Sequence, residues 1–178
     1  MKEKMFQPLQ LADLTLPNRV VMTAVKLGYA DKQGAISERH IAFYDRRARG
    51  GVGLIVSEPM YIRPNGRELP TQIGIYSDEL IAGLRKLTDA VHAAGGRMMA
   101  HINHAGRAAN PKLVPAEEIV SASDVTCPAN QATPHALSKE QISDMISAFG
   151  EAARRAREAG FDALEIPFSH GYLIHQFL

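Results

Sequence analysis

The sequence predicts an α/β fold of the (β/α)8 barrel type. The residues cover an N-terminal hairpin and about the first four βα units. Three observations carry this. A pattern of helix, glycine, short apolar strand and polar loop recurs three times. The intervening helices show a 3.6-residue apolar period. The first strand is followed by no G-x-G-x-x-G, which removes the main support for a dinucleotide-binding doubly wound sheet. A complete barrel usually takes about 250 residues. With 178 residues, the chain reads as a single unit, residues 1–178, forming the front half of one.

The elements follow in order. Leu9-Gln10-Leu11 and Leu14-Thr15-Leu16 alternate in polarity around Ala12-Asp13, as a small hairpin would. Val20 to Ala24 reads as the first barrel strand, and Ser37 as the cap of a helix bearing Ile41, Tyr44 and Ala48. That helix ends at Gly50-Gly51 and leads into the apolar strand Gly53 to Pro59. Leu80, Leu84, Leu87 and Val91 mark the next helix, closed by Gly95-Gly96 before the strand Arg97 to Ile102. Glycine suits these exits because it enters the left-handed region without a steric penalty. Asn103 to Leu137 is proline-punctuated and aperiodic, and loops of that length are usually functional. The capping box Ser138-x-x-Gln141 opens a helix with Ile142, Met145, Ile146, Phe149 and Ala153 on one face. Gly160 closes it, and Phe161 to Ile166 forms the fourth strand.

Composition narrows the function. Charges nearly balance at +1 and are interspersed, which argues against a nucleic-acid or membrane-surface role. The densest basic cluster, Arg154-Arg155-Ala156-Arg157, lies among Glu151 and Glu158 and reads as a solvated helix face. The lone Cys127 allows no internal disulfide. The N-terminus lacks the apolar run of a secretory signal, and no stretch is long and apolar enough to span a bilayer, so a cytoplasmic location is expected.

Chemistry concentrates at the end of the fourth strand. Pro167-Phe168-Ser169-His170-Gly171-Tyr172 runs from an apolar strand into what reads as the start of an amphipathic helix. Barrel catalytic groups gather at strand carboxyl ends, so His170 and Tyr172 are candidate proton handlers. His101 and His104 form an H-x-x-H, with His175 beyond His170, but residues three apart on a strand face opposite ways. No metal site is expected.

Several blocks, in order, resemble the Old Yellow Enzyme family of FMN-dependent NAD(P)H:flavin oxidoreductases. They are Leu16-Pro17-Asn18-Arg19-Val20-Val21-Met22, Tyr44 through Val56, His92-Ala93-Ala94-Gly95-Gly96, His104-Ala105-Gly106-Arg107, and Ala159 through Leu178. The resemblance implies the N-terminal half of an FMN-binding TIM barrel. Its expected reaction is reduction of the C=C bond of an α,β-unsaturated carbonyl or an enoyl or dienoyl thioester, with NADH or NADPH as reductant. Carried over by position, it lays the flavin along Thr23, Ala24 and Val25, with Pro59 as a small contact and His101 at the pyrimidine edge. It makes His170 a carbonyl-binding and flavin-side donor, and Tyr172 the proton donor to the substrate α-carbon.

Three positions depart from the family pattern. Pro167 stands at the first member of the carbonyl-binding pair and has no donor. Lys26 replaces a threonine or cysteine near flavin C4–O4 and N5, and His101 replaces a glutamine. The family grips the FMN phosphate after later strands, and a half-barrel leaves two open sheet edges. The chain alone is therefore expected to be inactive, with a complementary C-terminal half or a homo-oligomeric copy as partner. Two alternatives stay open from the residues. One is a non-catalytic half-barrel that assembles with a partner chain. The other is a flavin-free barrel enzyme, such as an aldolase or a metal-dependent hydrolase, that uses an inward lysine or a metal cluster, with Lys26 and the His101, His104, His170 and His175 set as the candidates.

Overall fold

A computed structural model describes residues 2–178; Met1 lies outside the described residues. After a short helix α1 (Lys2–Met5), strands β1 (Leu9–Leu11) and β2 (Leu14–Leu16) form the expected antiparallel hairpin, Leu9 opposite Leu16. Its turn contains Ala12 at φ 47°.

Strand β3 (Val21–Met22) opens the main sheet and is followed, after helix α2 (Glu38–Arg49), by β4 (Leu54–Val56) and β5 (Met60–Tyr61). Helix α3 (Ile81–Ala93), strand β6 (Met98–Asn103), helix α4 (Lys139–Glu158) and strand β9 (Ala163–Glu165) complete it. The neighbours β3-β4-β6-β9 are all parallel and stand in chain order. Each new strand is thus added to the same edge, as in a barrel, whereas a doubly wound sheet reverses direction at its switch point.

The second strand is broken by a bulge. Val56 is opposite Met99 and Met60 is opposite Ile102, so Ser57, Glu58 and Pro59 face only Ala100 and His101. Ser57 Oγ takes the His101 N–H at 3.0 Å, replacing the ladder partner that the extra residue displaces.

Helices pack on the sheet through Tyr44, Ala48, Leu84, Leu87, Val91, Met145, Ala152 and Ala156, all buried with Ile55, Met98 and Ala100. Each fully buried leucine there stabilises by about 1.5–3 kcal/mol. The Ser138–Gln141 capping box forms in both directions, at 3.2 and 2.8 Å. Helices α2, α3 and α4 leave through left-handed Gly51, Gly95 and Gly160.

The structure differs from the sequence reading in four places. Helix α4 buries Met145 but turns Ile146 outward, 67% exposed, because its seat on the sheet runs through Met145, Ala152 and Ala156. Ile146 joins Phe149, Ile166 and Phe168 along an open apolar groove. The stretch after β6 is not structureless. It holds 3₁₀ turns, a parallel pair of β7 (Val120–Ser121) with β8 (His135–Ala136), and its own core of Ala105, Ala109, Val114 and Ile119. Beyond Tyr172 the chain makes a 3₁₀ turn at His175–Phe177, where an α-helix was expected. Finally, Arg154 and Arg155 both reach Asp78 at 2.6 Å, which ties α4 to the turn before α3. Among the described residues, no helix is long and apolar enough to cross a membrane.

Candidate active site

The carboxyl ends of the strands form one rim. Beneath it lies Glu58, from the bulge, 1% exposed. Its Oε2 accepts the Leu27 and Gly28 N–H groups at 2.6 and 3.1 Å, and Oε1 accepts the Ile73 N–H at 3.2 Å. His40 Nε2 approaches Oε1 at 3.3 Å, while its Nδ1 accepts the Ser37 N–H at 3.1 Å. Tyr44 Oη accepts the Glu58 N–H at 2.8 Å. A buried carboxylate persists only with such partners. Here they anchor the loop after β3, which carries Thr23 to Lys26. Glu58 and His40 were assigned no role by the sequence reading. The signal was available in the acid of Ser57-Glu58-Pro59, at the end of an otherwise apolar strand.

Above this anchor Thr23 and Val25 are exposed and Ala24 is half-buried. Pro59 is buried in the bulge, its carbonyl accepting Gln72 Nε2 at 2.9 Å. His101 is opposite Glu165 in the sheet register, and its Nδ1 meets Glu165 Oε1 at 2.5 Å. Burial, opposed by Glu165, holds the His101 imidazole below the usual histidine range. Nδ1–H is thus committed to the carboxylate, and Nε2 is left as a buried acceptor with no partner among the described residues.

At the far side Lys26 Nζ donates to Glu68 Oε1 at 2.8 Å and to Tyr172 Oη at 2.9 Å. The ammonium also lies 5.4 Å from the Tyr172 ring centroid. Burial works against the Lys26 charge, yet the hydrogen bonds and charges of Glu68 and Tyr172 carry it above the usual lysine range. Burial likewise raises the Tyr172 phenol; Lys26 pulls it down and Glu68 pushes it up. The phenol therefore keeps its proton at neutral pH. The exposed His170 ring stands 6.1 Å from the Tyr172 ring, with Nδ1 at 2.7 Å from Ser169 Oγ.

The turn that presents these two side chains needs two left-handed residues, His170 at φ 62° and Gly171 at φ 73°. That conformation is uncommon outside glycine and is held by its surroundings. Leu173, 1% exposed, donates its N–H to the His104 carbonyl at 3.0 Å. Gln176 staples the turn to the loop after β6: Nε2 donates to the Gly171 and Ala105 carbonyls, and Oε1 accepts from Arg107 N–H and Ser121 Oγ. His104 is wholly buried and serves structure, with Nδ1 accepting the Gly106 N–H and Nε2 facing Asn65 Oδ1 at 3.1 Å. Glu68 and Gln176 carried no local signal in the sequence.

Thus Lys26, Tyr172 and His170 share one side of the rim, with His101 and its partner Glu165 on adjacent strand ends. Pro59 lies beneath, in the bulge.

The geometry has relatives. The chain is 40% identical over 179 residues to an NADPH dehydrogenase of Bacillus subtilis (strain 168), a match spanning all of this chain and 52% of that protein. It is 39% identical over 176 residues to an NADPH dehydrogenase of Listeria welshimeri, spanning 98% of this chain and 51% of that one. The chain therefore spans about half the length of the curated relatives it matches. Morphinone reductase in complex with tetrahydroNAD superposes with a TM-score of 0.87 at 30% identity, over 95% of this chain and 50% of that one. The old yellow enzyme from Trypanosoma cruzi gives 0.84 at 30%, over 96% and 52%. Against these neighbours the four parallel strands are the first half of a TIM barrel. The model of the NADH:flavin oxidoreductase / NADH oxidase family matches residues 4–178, and the chain belongs to that family.

Proposed function

We propose that this chain is the substrate-facing half of an FMN-dependent oxidoreductase that uses NAD(P)H to reduce the C=C bond of an α,β-unsaturated carbonyl or thioester. The observation that carries the reading is a neutral, half-buried phenol, Tyr172, beside a cation and across the rim from an unpartnered buried acceptor, His101 Nε2.

The residues present fit a flavin. Its pyrimidine edge offers an N–H between two carbonyls, and His101 Nε2 offers the acceptor such a donor needs. Thr23, Ala24 and Val25 provide a ledge for one side of a planar ring, held in place from below by Glu58. When bound, FMN would supply the hydride for the alkene β-carbon. His170 would donate to the substrate carbonyl oxygen, where negative charge builds. Tyr172 would deliver the proton to the α-carbon. Pro167 offers no donor for that oxygen, so His170 carries this task alone among the pair positions. The phosphate grip is expected from later barrel strands.

The test is spectroscopic and kinetic. Purified full-barrel protein should release FMN on denaturation. Tyr172→Phe should slow reduction of a cyclic enone by about 10²–10⁴-fold, with flavin reduction by NADPH nearly intact. Equal loss of both half-reactions sinks the proton-donor role. A full-barrel protein that stays colourless after FMN is added sinks the cofactor assignment.

A further inference from the structure

We infer that Lys26, held by Glu68, sets the acidity of Tyr172 and returns its proton after each transfer. The inference rests on the proposed role of Tyr172 and adds a positioning residue to it.

The contacts are specific. Lys26 Nζ bridges Glu68 Oε1 and Tyr172 Oη at 2.8 and 2.9 Å, across 42 and 146 residues of chain respectively. A Lys26 N–H donated to the phenol oxygen leaves the phenol's own hydrogen free to point elsewhere. Glu68 is itself fixed. Its N–H donates to Gln72 Oε1 at 2.9 Å and its carbonyl accepts Asn110 Nδ2 at 3.0 Å. Its Oε2 is buried without a partner among the described residues, so its ion pair to Lys26 is made through Oε1. Lys26 is 40% exposed along its side chain, open to water, and Glu68 only 12%.

The proton balance closes with these groups alone. The Tyr172 O–H bond breaks as a C–H bond forms at the substrate α-carbon, leaving a phenolate. The Lys26 N–H already donated to that oxygen stabilises it, then breaks as the phenol O–H re-forms. The neutral amine takes a proton from water, and the adjacent Glu68 carboxylate favours that recharging. Phenol and ammonium ordinarily titrate at ~10 and ~10.4, and both groups are shifted upward here. Groups facing the phenol are Lys26 from the loop after β3, Glu68 from the loop after β5 and His170 from its own turn; His101, on β6, is paired with Glu165.

The test begins with the phenol itself. Full-length chain carrying ¹³Cζ-tyrosine is titrated by NMR, with the Tyr172 signal assigned by its loss in Tyr172→Phe. Lys26→Met should move the phenol step up by about one unit, tenfold in acidity, and Glu68→Gln should move it down. Lys26→Arg should restore most of the first shift. A phenol step that ignores both substitutions overturns the coupling, whether or not FMN binds. Shifts present in protein that binds no FMN uphold the coupling and count against the proposed reaction instead. For the return of the proton, turnover of FMN-loaded Lys26→Ala on an enone should be restored several-fold by added ethylamine. Phenol shifts without any amine response overturn that step.

Discussion

Two sets of the same three residue types lie near the strand ends, and they do opposite things. Below the rim, Glu58, His40 and Tyr44 are at most 1% exposed. Every polar atom named there has a partner, and burial drives the Tyr44 phenol well above the usual tyrosine range. At the rim, His170 is exposed and Tyr172 half-buried, while Glu68, 12% exposed, keeps a buried carboxylate oxygen without a partner among the described residues, and the phenol hydrogen is left free. A buried polar group is stable only when saturated, and a saturated group has nothing left for a substrate. Residue type therefore says less about chemistry than unsatisfied capacity does.

The comparison breaks most readily at Glu58. Glu58→Ala leaves three backbone donors and His40 facing a hole, and should cost about 3–5 kcal/mol in chemical denaturation. Glu68→Ala, at an ion pair whose lysine is 40% exposed, should cost less than about 1 kcal/mol. Equal losses would erase the distinction between the two sets.

A buried histidine sharpens it next. Burial first, then Arg63, holds the His104 imidazole down to about 3 from 6.5. The unfolded chain thus binds the proton that the folded chain refuses. Stability is fully present above about 6.5 and falls as pH drops toward about 3, by up to about 1.4 kcal/mol per unit for this group. Denaturation midpoints from pH 7 to 4 should fall more steeply for the native chain than for His104→Gln. Parallel slopes would remove His104 from the acid response.

The two tyrosines give the smaller effects. Tyr44→Phe strands the buried Glu58 N–H and should cost about 1–3 kcal/mol. Tyr172→Phe should change stability by less than about 0.5 kcal/mol while reducing turnover. A thermal scan of both variants beside stopped-flow traces separates a structural phenol from a working one.

Much of this was legible in the sequence alone. The hairpin, the helix exits and the Ser138–Gln141 box depend on residues within a few positions of one another, and all formed as read. The fourth strand's end was legible through His170-Gly171-Tyr172. What the pattern missed lay where tertiary seating overrides period. Ile146 sits on the apolar face by spacing, yet α4 rests on the sheet through Met145, Ala152 and Ala156 and turns that side chain out. The bulge at Ser57-Glu58-Pro59 is invisible in the strand's composition because it is a mismatch between two strands.

The same division holds at the site. Local order in the chain determined that four parallel strands with three intervening helices follow a hairpin and that Tyr172 and His170 lie just past a strand end. Their partners were settled only on folding. Lys26 reads alone as a loop cation free to meet water or ligand; in the fold it is joined to Glu68 and to Tyr172, 146 residues away. His101 reads as a group with one donor and one acceptor, and the register opposite Glu165 spends the donor. Short-range geometry is written in neighbouring residues. Burial, partner count and charge arise from contacts between distant ones, and those decide which carboxylate anchors a loop and which tunes a phenol.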